Sequence, residues 1–245
     1  MSNQPNLGEQ ALDKAAEVAI RSQLDQAEQV DVSVQAQPAN IVQGKVDSVT
    51  VKGAGVVMKR DLRVEALKLN TDSVSINPLK ALTGEIELTE PTNAQAQILL
   101  TEVDLNRALA SDYLLGKMQG VEVSVQGEAK TLDVQNAKIR LPGERKLGIA
   151  ADLHVRETGD RIQFTAVAIP SVVEAGQKIH LDIVSAEGKG LSLEFASALF
   201  EKIIDLLDLR NFELDGFTLQ LQDLIVQKGT LLLETTTTIE KLPKS

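Results

Sequence analysis

Two histidines, a group of glutamates, two glycine pairs and two basic clusters are the residues of this chain whose types could do chemistry. His154 and His180 each fall within an alternating stretch at a polar phase, which turns them to solvent. Neither has a cysteine or a second histidine at metal-ligand spacing. Glu85, Glu87 and Glu90 are close in sequence, and Glu85 and Glu87 share one strand face, as a glycosidase-like carboxylate pair would require. Their polar phase reads instead as a solvated surface. Gly53-Ala54-Gly55 and Gly188-Lys189-Gly190 lack the third glycine of a dinucleotide loop and read as turns or bulges. Lys59 and Arg60 with Arg63, and Arg145 with Lys146 after a turn at Pro142-Gly143, could hold a phosphate head group if they stood at the mouth of a groove. A Gly-x-Ser-x-Gly elbow, a phosphate loop and a zinc-protease motif are all missing. The sequence therefore predicts no catalytic residue, no metal and no cofactor.

Composition points the same way. The chain has 245 residues, 43% of them hydrophobic but only 2% aromatic and none of them Trp, so its core must be aliphatic. A formal charge of −10 argues against nucleic acid, whose binding needs Lys and Arg to neutralise phosphates. It argues equally against broad electrostatic adhesion to anionic lipid. With no Cys there is neither a disulfide nor thiolate chemistry. Residues 1–10 are polar and hold no apolar signal core, and no stretch approaches the roughly 18–20 apolar residues of a spanning helix. The expected location is cytoplasmic.

The elements that must position these groups are mostly strands. Residues 9–29 read as a helix, with Ala11, Leu12, Ala15, Ala16, Ala19 and Ile20 at spacings of three and four. Val30, Val32, Val34 and Ala36 then alternate, and Pro38 ends the run. The region 41–76 is strand-rich, with a phase change at Ala66-Leu67 that predicts a β-bulge. Ala94 to Leu100 forms a further strand. A helix over about 102–118 follows a capping box at Thr101 and Asp104, with Gly120 as its C-terminal cap. In the second half, alternation marks strands from Val121 to Ile183, with a hairpin loop at Thr158-Gly159-Asp160. The strongest helix spans 194–209, with a wide apolar arc.

Two echoes run through this plan. Val-Asp-Val-Ser-Val-Gln-Ala at 30–36 returns as Val-Glu-Val-Ser-Val-Gln-Gly at 121–127, and Val46 to Val51 aligns with Leu214 to Leu219. The order helix, strand, strand recurs from near 9, 102 and 194. The predicted fold is α+β: a long curled antiparallel β-sheet wrapped around about three amphipathic helices, with helix-strand-strand internal repeats. Residues 1–8 and 241–245 read as tails around a single domain over 9–240. Small Ala, Val and Gly side chains on the inner face leave either an apolar groove or, where they close together, an ordinary filled core.

Three stretches carry a resemblance. Ala19-Ile20-Arg21-Ser22-Gln23-Leu24 leads a helix into a strand. Asn70 to Leu82 passes through Ser75-Ile76-Asn77-Pro78 into Lys80-Ala81-Leu82. Leu100-Thr101-Glu102-Val103-Asp104-Leu105-Asn106 opens the second helix. Together they resemble the LmeA family of phospholipid-binding proteins, and its cyanobacterial branch in particular, over roughly 10–240. The resemblance implies a tubular lipid-binding fold, an apolar groove and a phospholipid or glycolipid as partner. Actinobacterial members carry an export signal or anchor that is not visible here, which turns the expectation toward transient contact with a plasma or thylakoid membrane from the cytoplasm.

The leading expectation is non-enzymatic binding, and transfer, of phospholipid. The groove lining would be Leu105, Leu109, Tyr113, Phe164, Phe195, Leu199, Phe200, Ile203 and Leu207, and the head-group contacts Lys59, Arg60, Arg63, Arg145 and Lys146. The alternative is a structural or scaffold protein with a filled core and a protein partner at a sheet edge.

Overall fold

Alternation of apolar and polar residues dictates strands here, and thirteen of them form among the residues that the computed structural model describes, namely 13–14, 16–18, 20–21, 24–58, 62–81, 86–125, 127–188, 193–206 and 216–241. In chain order they are β1 (Gln29–Gln35), β2 (Lys45–Val46), β3 (Ser48–Met58), β4 (Leu62–Thr71), β5 (Val74–Ser75), β6 (Thr92–Thr101), β7 (Val121–Val125), β8 (Glu128–Gly143), β9 (Lys146–Val155), β10 (Arg161–Val173), β11 (Lys178–Gly188), β12 (Phe217–Gln227) and β13 (Thr230–Ile239). Short helices punctuate them: α1 (Pro38–Ile41), α2 (Pro78–Ala81), α3 (Glu102–Leu109), α4 (Asp112–Lys117) and α5 (Leu193–Leu206). The described positions between 13 and 21 are also helical.

The strands build two main sheets where the sequence suggested one. A six-stranded sheet has the order β1-β3-β4-β6-β13-β12 and curls as a half-barrel, and a five-stranded sheet has the order β11-β10-β9-β8-β7. All their pairings are antiparallel. Large twisted sheets commonly split in this way, because twist accumulates with each added strand. A small ribbon of β2 and β5 stands apart. The two echoing stretches take corresponding places: β1 and β7 are each the edge strand of a main sheet and pair with a longer strand that follows.

The sheets meet at a seam. Pro142 of β8 forms a bridge with Lys228, and the Gly229 N–H donates to the Leu141 carbonyl at 2.8 Å. α3 is stapled into the same seam. Its Glu102 N–H donates to the Gly229 carbonyl, and the Glu102 carboxylate accepts from the Leu141 N–H. Asn106 both accepts from the Ile139 N–H and donates to the Ile139 carbonyl. Gly143 must be glycine on two counts: its φ is +94°, and a Cβ there would lie 3.3 Å from the Lys228 nitrogen.

The main core fills the space between the five-stranded sheet, α5 and the β12–β13 hairpin. α5 supplies Phe195, Leu199 and Phe200 at helical spacing, and Phe200 meets Phe164 of β10 edge-to-face at 5.8 Å. A smaller cluster lies near β1, with Val34, Ala36, Val46, Val74 and Ile76 as its buried members and Ala16 packed against it.

Several expectations need adjusting. The helix expected over 102–118 breaks at Ser111, which caps α4 by accepting from the Leu114 N–H, and Gly120 lies beyond both helices with its N–H on Asp133. The N-terminal helix does not reach 29: residues 24–28 are not helical, because Gln26 bridges to Val57 instead. No bulge occurs at Ala66-Leu67, since the register carries Ala54↔Ala66 into Val56↔Val64 without a shift. Both faces of β4 are used at that end: Val64 is buried on one, and Arg63, on the other, reaches α3. The turn expected at Pro142-Gly143 falls two residues later, at Glu144 and Arg145, whose φ values of 53° and 59° make a two-residue hairpin loop.

Candidate functional site

The register lays out the inner face of the six-stranded sheet row by row, because paired residues share a face. One row runs Val32, Val51, Leu69, Ala96, Thr235 and Leu221. The next runs through Val34 and Val49, then Thr71, Ala94, Thr237 and Leu219. The row ends are aliphatic and the centre is small, and neither row carries a titratable group. Ala94, Ala96, Thr235 and Thr237 are all buried, yet they stand outside both hydrophobic clusters of the described residues. Short side chains thus occupy the buried centre of this face, between its aliphatic ends.

The threonines set its polarity. The Thr235 hydroxyl donates to the Ala96 carbonyl at 3.4 Å, and the Thr92 hydroxyl donates to the Ser73 carbonyl. Thr237 differs: its Oγ1 is buried and has no hydrogen-bond partner among the described residues. Burying a hydroxyl unpaired costs about 1–3 kcal/mol. Such a group can donate to an ester carbonyl or accept from a lipid hydroxyl. At the β12 side a bulge at Gln222, where the pairing passes from Leu221 to Asp223, lets Leu221 and Leu224 both face inward.

The opposite face of the same sheet is a different surface. Asn93, Gln95, Thr218, Gln220, Thr236 and Thr238, with Asp72 and parts of Ala94 and Thr237, line a shallow depression of about 230 Å³. Its Thr238 donates to Asn93, and its Thr236 accepts from the neighbouring Gln222. It keeps the outside of the sheet wet.

The aromatic and aliphatic residues singled out from the sequence converge on the main core. Phe164, Phe195, Leu199 and Phe200 are buried in it, and Leu105 and Ile203 pack against it. Leu109 and Tyr113 are half-buried on α3 and α4. Leu207 lies outside the described residues, as do Lys59, Arg60 and Glu85.

The basic residues do not converge. Arg63 is gripped by three carboxylates, Asp104 at 2.7 Å, Glu65 at 2.8 Å and Glu28 at 3.1 Å, and their hydrogen bonds raise its already high pKa. Burial opposes the charge of Asp104, but hydrogen bonds from Thr101 and Arg63 outweigh it and hold the carboxyl below the usual range. Gly55 makes room for this network: its φ is +54°, and a Cβ would collide with the Glu28 side chain. Arg145 sits at the exposed hairpin loop, and Lys146 pairs with Glu144 at 2.8 Å. The histidines lie beside acids, His154 at 3.8 Å from Asp133 and His180 at 3.3 Å from Asp182. Glu87 is held by Lys80 and Asn77.

The residues that sequence reasoning passed over are Ala94, Ala96, Thr235 and Thr237. The signal for them was present: small residues two apart in one strand, and hydroxyls at the buried phase of the next. A family model described as LmeA-like phospholipid-binding matches residues 5–236. No curated protein and no solved structure matches the chain.

Proposed function

The chain belongs to the LmeA-like phospholipid-binding family, and from that membership we propose that it binds phospholipid, without changing it chemically, along the inner rows of the six-stranded sheet. Acyl chains lie over Ala94 and Ala96, and the Thr237 hydroxyl donates to an ester carbonyl. The main core around Leu199 and Phe200 closes one end of this groove, with Leu105, Leu109 and Tyr113 at its margin. The observation that carries the reading is the Thr237 hydroxyl, buried among small side chains and without a hydrogen-bond partner among the described residues. Transfer between membranes follows from the same geometry, since each methylene kept from water contributes about 0.8 kcal/mol. The succession of helix and strands we read as internal repetition, a view supported by the matching edge positions of β1 and β7.

The test is lipid capture. Protein incubated with liposomes and re-isolated is expected to yield phospholipid by mass spectrometry, and Ala96→Phe, which fills the groove, to yield little. A folded wild-type protein that captures no lipid would falsify the reading. A second reading, a scaffold with a filled core, is favoured by the tight Phe164–Phe200 packing. It predicts no captured lipid and a protein partner at a sheet edge.

A further inference from the structure

At the end of the six-stranded sheet away from the seam, two short helical turns each carry one of the three most exposed large hydrophobic side chains of the described residues. Val42, just after α1, is 80% exposed, and Leu79, within α2, is 75% exposed. The two turns are bound together. The Ile76 N–H donates to the Gly44 carbonyl at 2.7 Å, and a Cβ on Gly44 would touch the Pro78 ring. The β2–β5 ribbon braces them from beneath.

Neither side chain is exposed for want of a core. Ile41, directly before Val42, packs on the small cluster, and Ile76 and Val46 are buried in it. Amides at the turns are bonded within the chain. The Gln43 and Gly44 amides donate to the Asn40 and Ile41 carbonyls, and the Asn77 side chain accepts from the Leu79 and Lys80 amides. Amides already bonded lower the cost of taking the segment out of water. Lys45 is exposed beside the turns, and Lys80 is half-exposed.

We propose that this tip docks on a lipid bilayer, with Val42 and Leu79 inserted into its apolar layer and Lys45 at the head-group level. The inference rests on the phospholipid-binding reading, because a water-insoluble ligand must be collected from a bilayer. It adds where that contact is made. With a net charge of −10 the chain is not drawn to anionic lipid as a whole, so insertion of aliphatic side chains carries the contact, with the lysines flanking it. Two aliphatic side chains give weak, reversible attachment, as a shuttling protein needs. The tip also stands next to the proposed groove, since Thr71 of the inner row lies one residue from Asp72 at the start of the loop into β5.

The experiment compares co-sedimentation with phosphatidylcholine vesicles, with and without phosphatidylglycerol, for the wild type, Val42→Asp, Leu79→Asp and Val103→Asp. Val103 is 75% exposed but sits on α3, at the seam end of the sheet. Each tip variant is expected to lose roughly tenfold or more in vesicle affinity, while Val103→Asp does not. High salt is expected to leave wild-type binding to phosphatidylcholine intact, since insertion is not screened. Because the chain has no Trp, Leu79→Trp gives a single reporter whose emission is expected to shift to the blue on vesicle addition. Capture of a short-chain phospholipid below its micelle concentration is measured alongside, and the tip variants are expected to retain it. Tip variants that sediment like the wild type, a wild type that does not bind vesicles, binding abolished by salt, or an equal loss in Val103→Asp each overturn the docking tip. Failure of the wild type to take up the short-chain lipid instead overturns the phospholipid-binding reading.

Discussion

The guanidinium of Arg63 and the carboxylate of Asp104 lie 2.7 Å apart and tie the curled sheet to α3. Asp104 is 2% exposed and closes a capping box, accepting from the Thr101 N–H and hydroxyl while its own N–H donates to the Thr101 hydroxyl. One carboxylate therefore caps a helix, neutralises an arginine and fixes the approach of β4 to the seam.

Removing the arginine leaves that buried carboxylate without its counter-charge. Arg63→Ala is expected to lower unfolding free energy by about 3 kcal/mol, the low end for a broken buried pair because the capping bonds remain. Chemical denaturation measures it. A head-group role for Arg63 predicts the reverse pattern, weaker lipid capture at unchanged stability.

The five-stranded sheet holds a second carboxyl whose pKa is depressed. Asp133 accepts from Arg156 at 2.6 Å and from the Gly120 N–H, and the Arg156 hydrogen bonds bring its carboxyl down to about 2. A folded-state value below the unfolded one gives stability that is present above the ordinary carboxylate range and lost as pH falls toward 2. Asp133→Asn is expected to remove that part of the acid dependence. Amide exchange at Gly120, followed from pH 5 downward, reads it directly.

The hairpin between β8 and β9 holds Glu144 and Arg145 at positive φ, a conformation that ordinary side chains disfavour. Arg145→Gly relieves one of these and suits the two-residue turn, so a gain of about 0.5–1 kcal/mol is expected in thermal or urea unfolding. An unchanged or lowered stability would mean that the Arg145 side chain holds the loop.

Alternation made the strands legible, because a half-buried strand must change face at every residue. It also placed Phe195, Leu199 and Phe200 in one packed face, since helical spacing is equally strict. Three things were not legible. The break at Ser111 hid inside an uninterrupted apolar pattern, although Ser111-Asp112 is itself an N-terminal signal. The phase change at Ala66-Leu67 looked like a bulge because a pattern cannot say that both faces of a strand are covered. A bulge that does occur in the same sheet, at Gln222, sits where Leu221 and Leu224 are three apart, a spacing easily read as noise. Thr237 escaped notice for a related reason: a hydroxyl side chain scores as near neutral in a hydropathy pattern, and only the register sets it opposite Ala94.

That pairing carries the most discriminating prediction. Thr237→Val keeps the shape of the side chain and removes a buried hydroxyl that bonds to none of the described residues. In the lipid-free protein the change is expected to raise unfolding free energy by about 1 kcal/mol or more, since the desolvation penalty goes with the hydroxyl. In the phospholipid-binding reading the same hydroxyl meets the ester region of the ligand, so lipid affinity is expected to fall by roughly three- to tenfold, the worth of one neutral hydrogen bond. Stability and affinity then move in opposite directions, which a site kept for its ligand predicts and a filled core does not. A variant that is more stable and captures lipid as well as the wild type would leave Thr237 as a packing residue and move the ligand away from the Ala94–Thr237 row. A variant that is less stable would mean that the hydroxyl is satisfied by a bound water, and the groove would then be polar where the acyl chains have been placed.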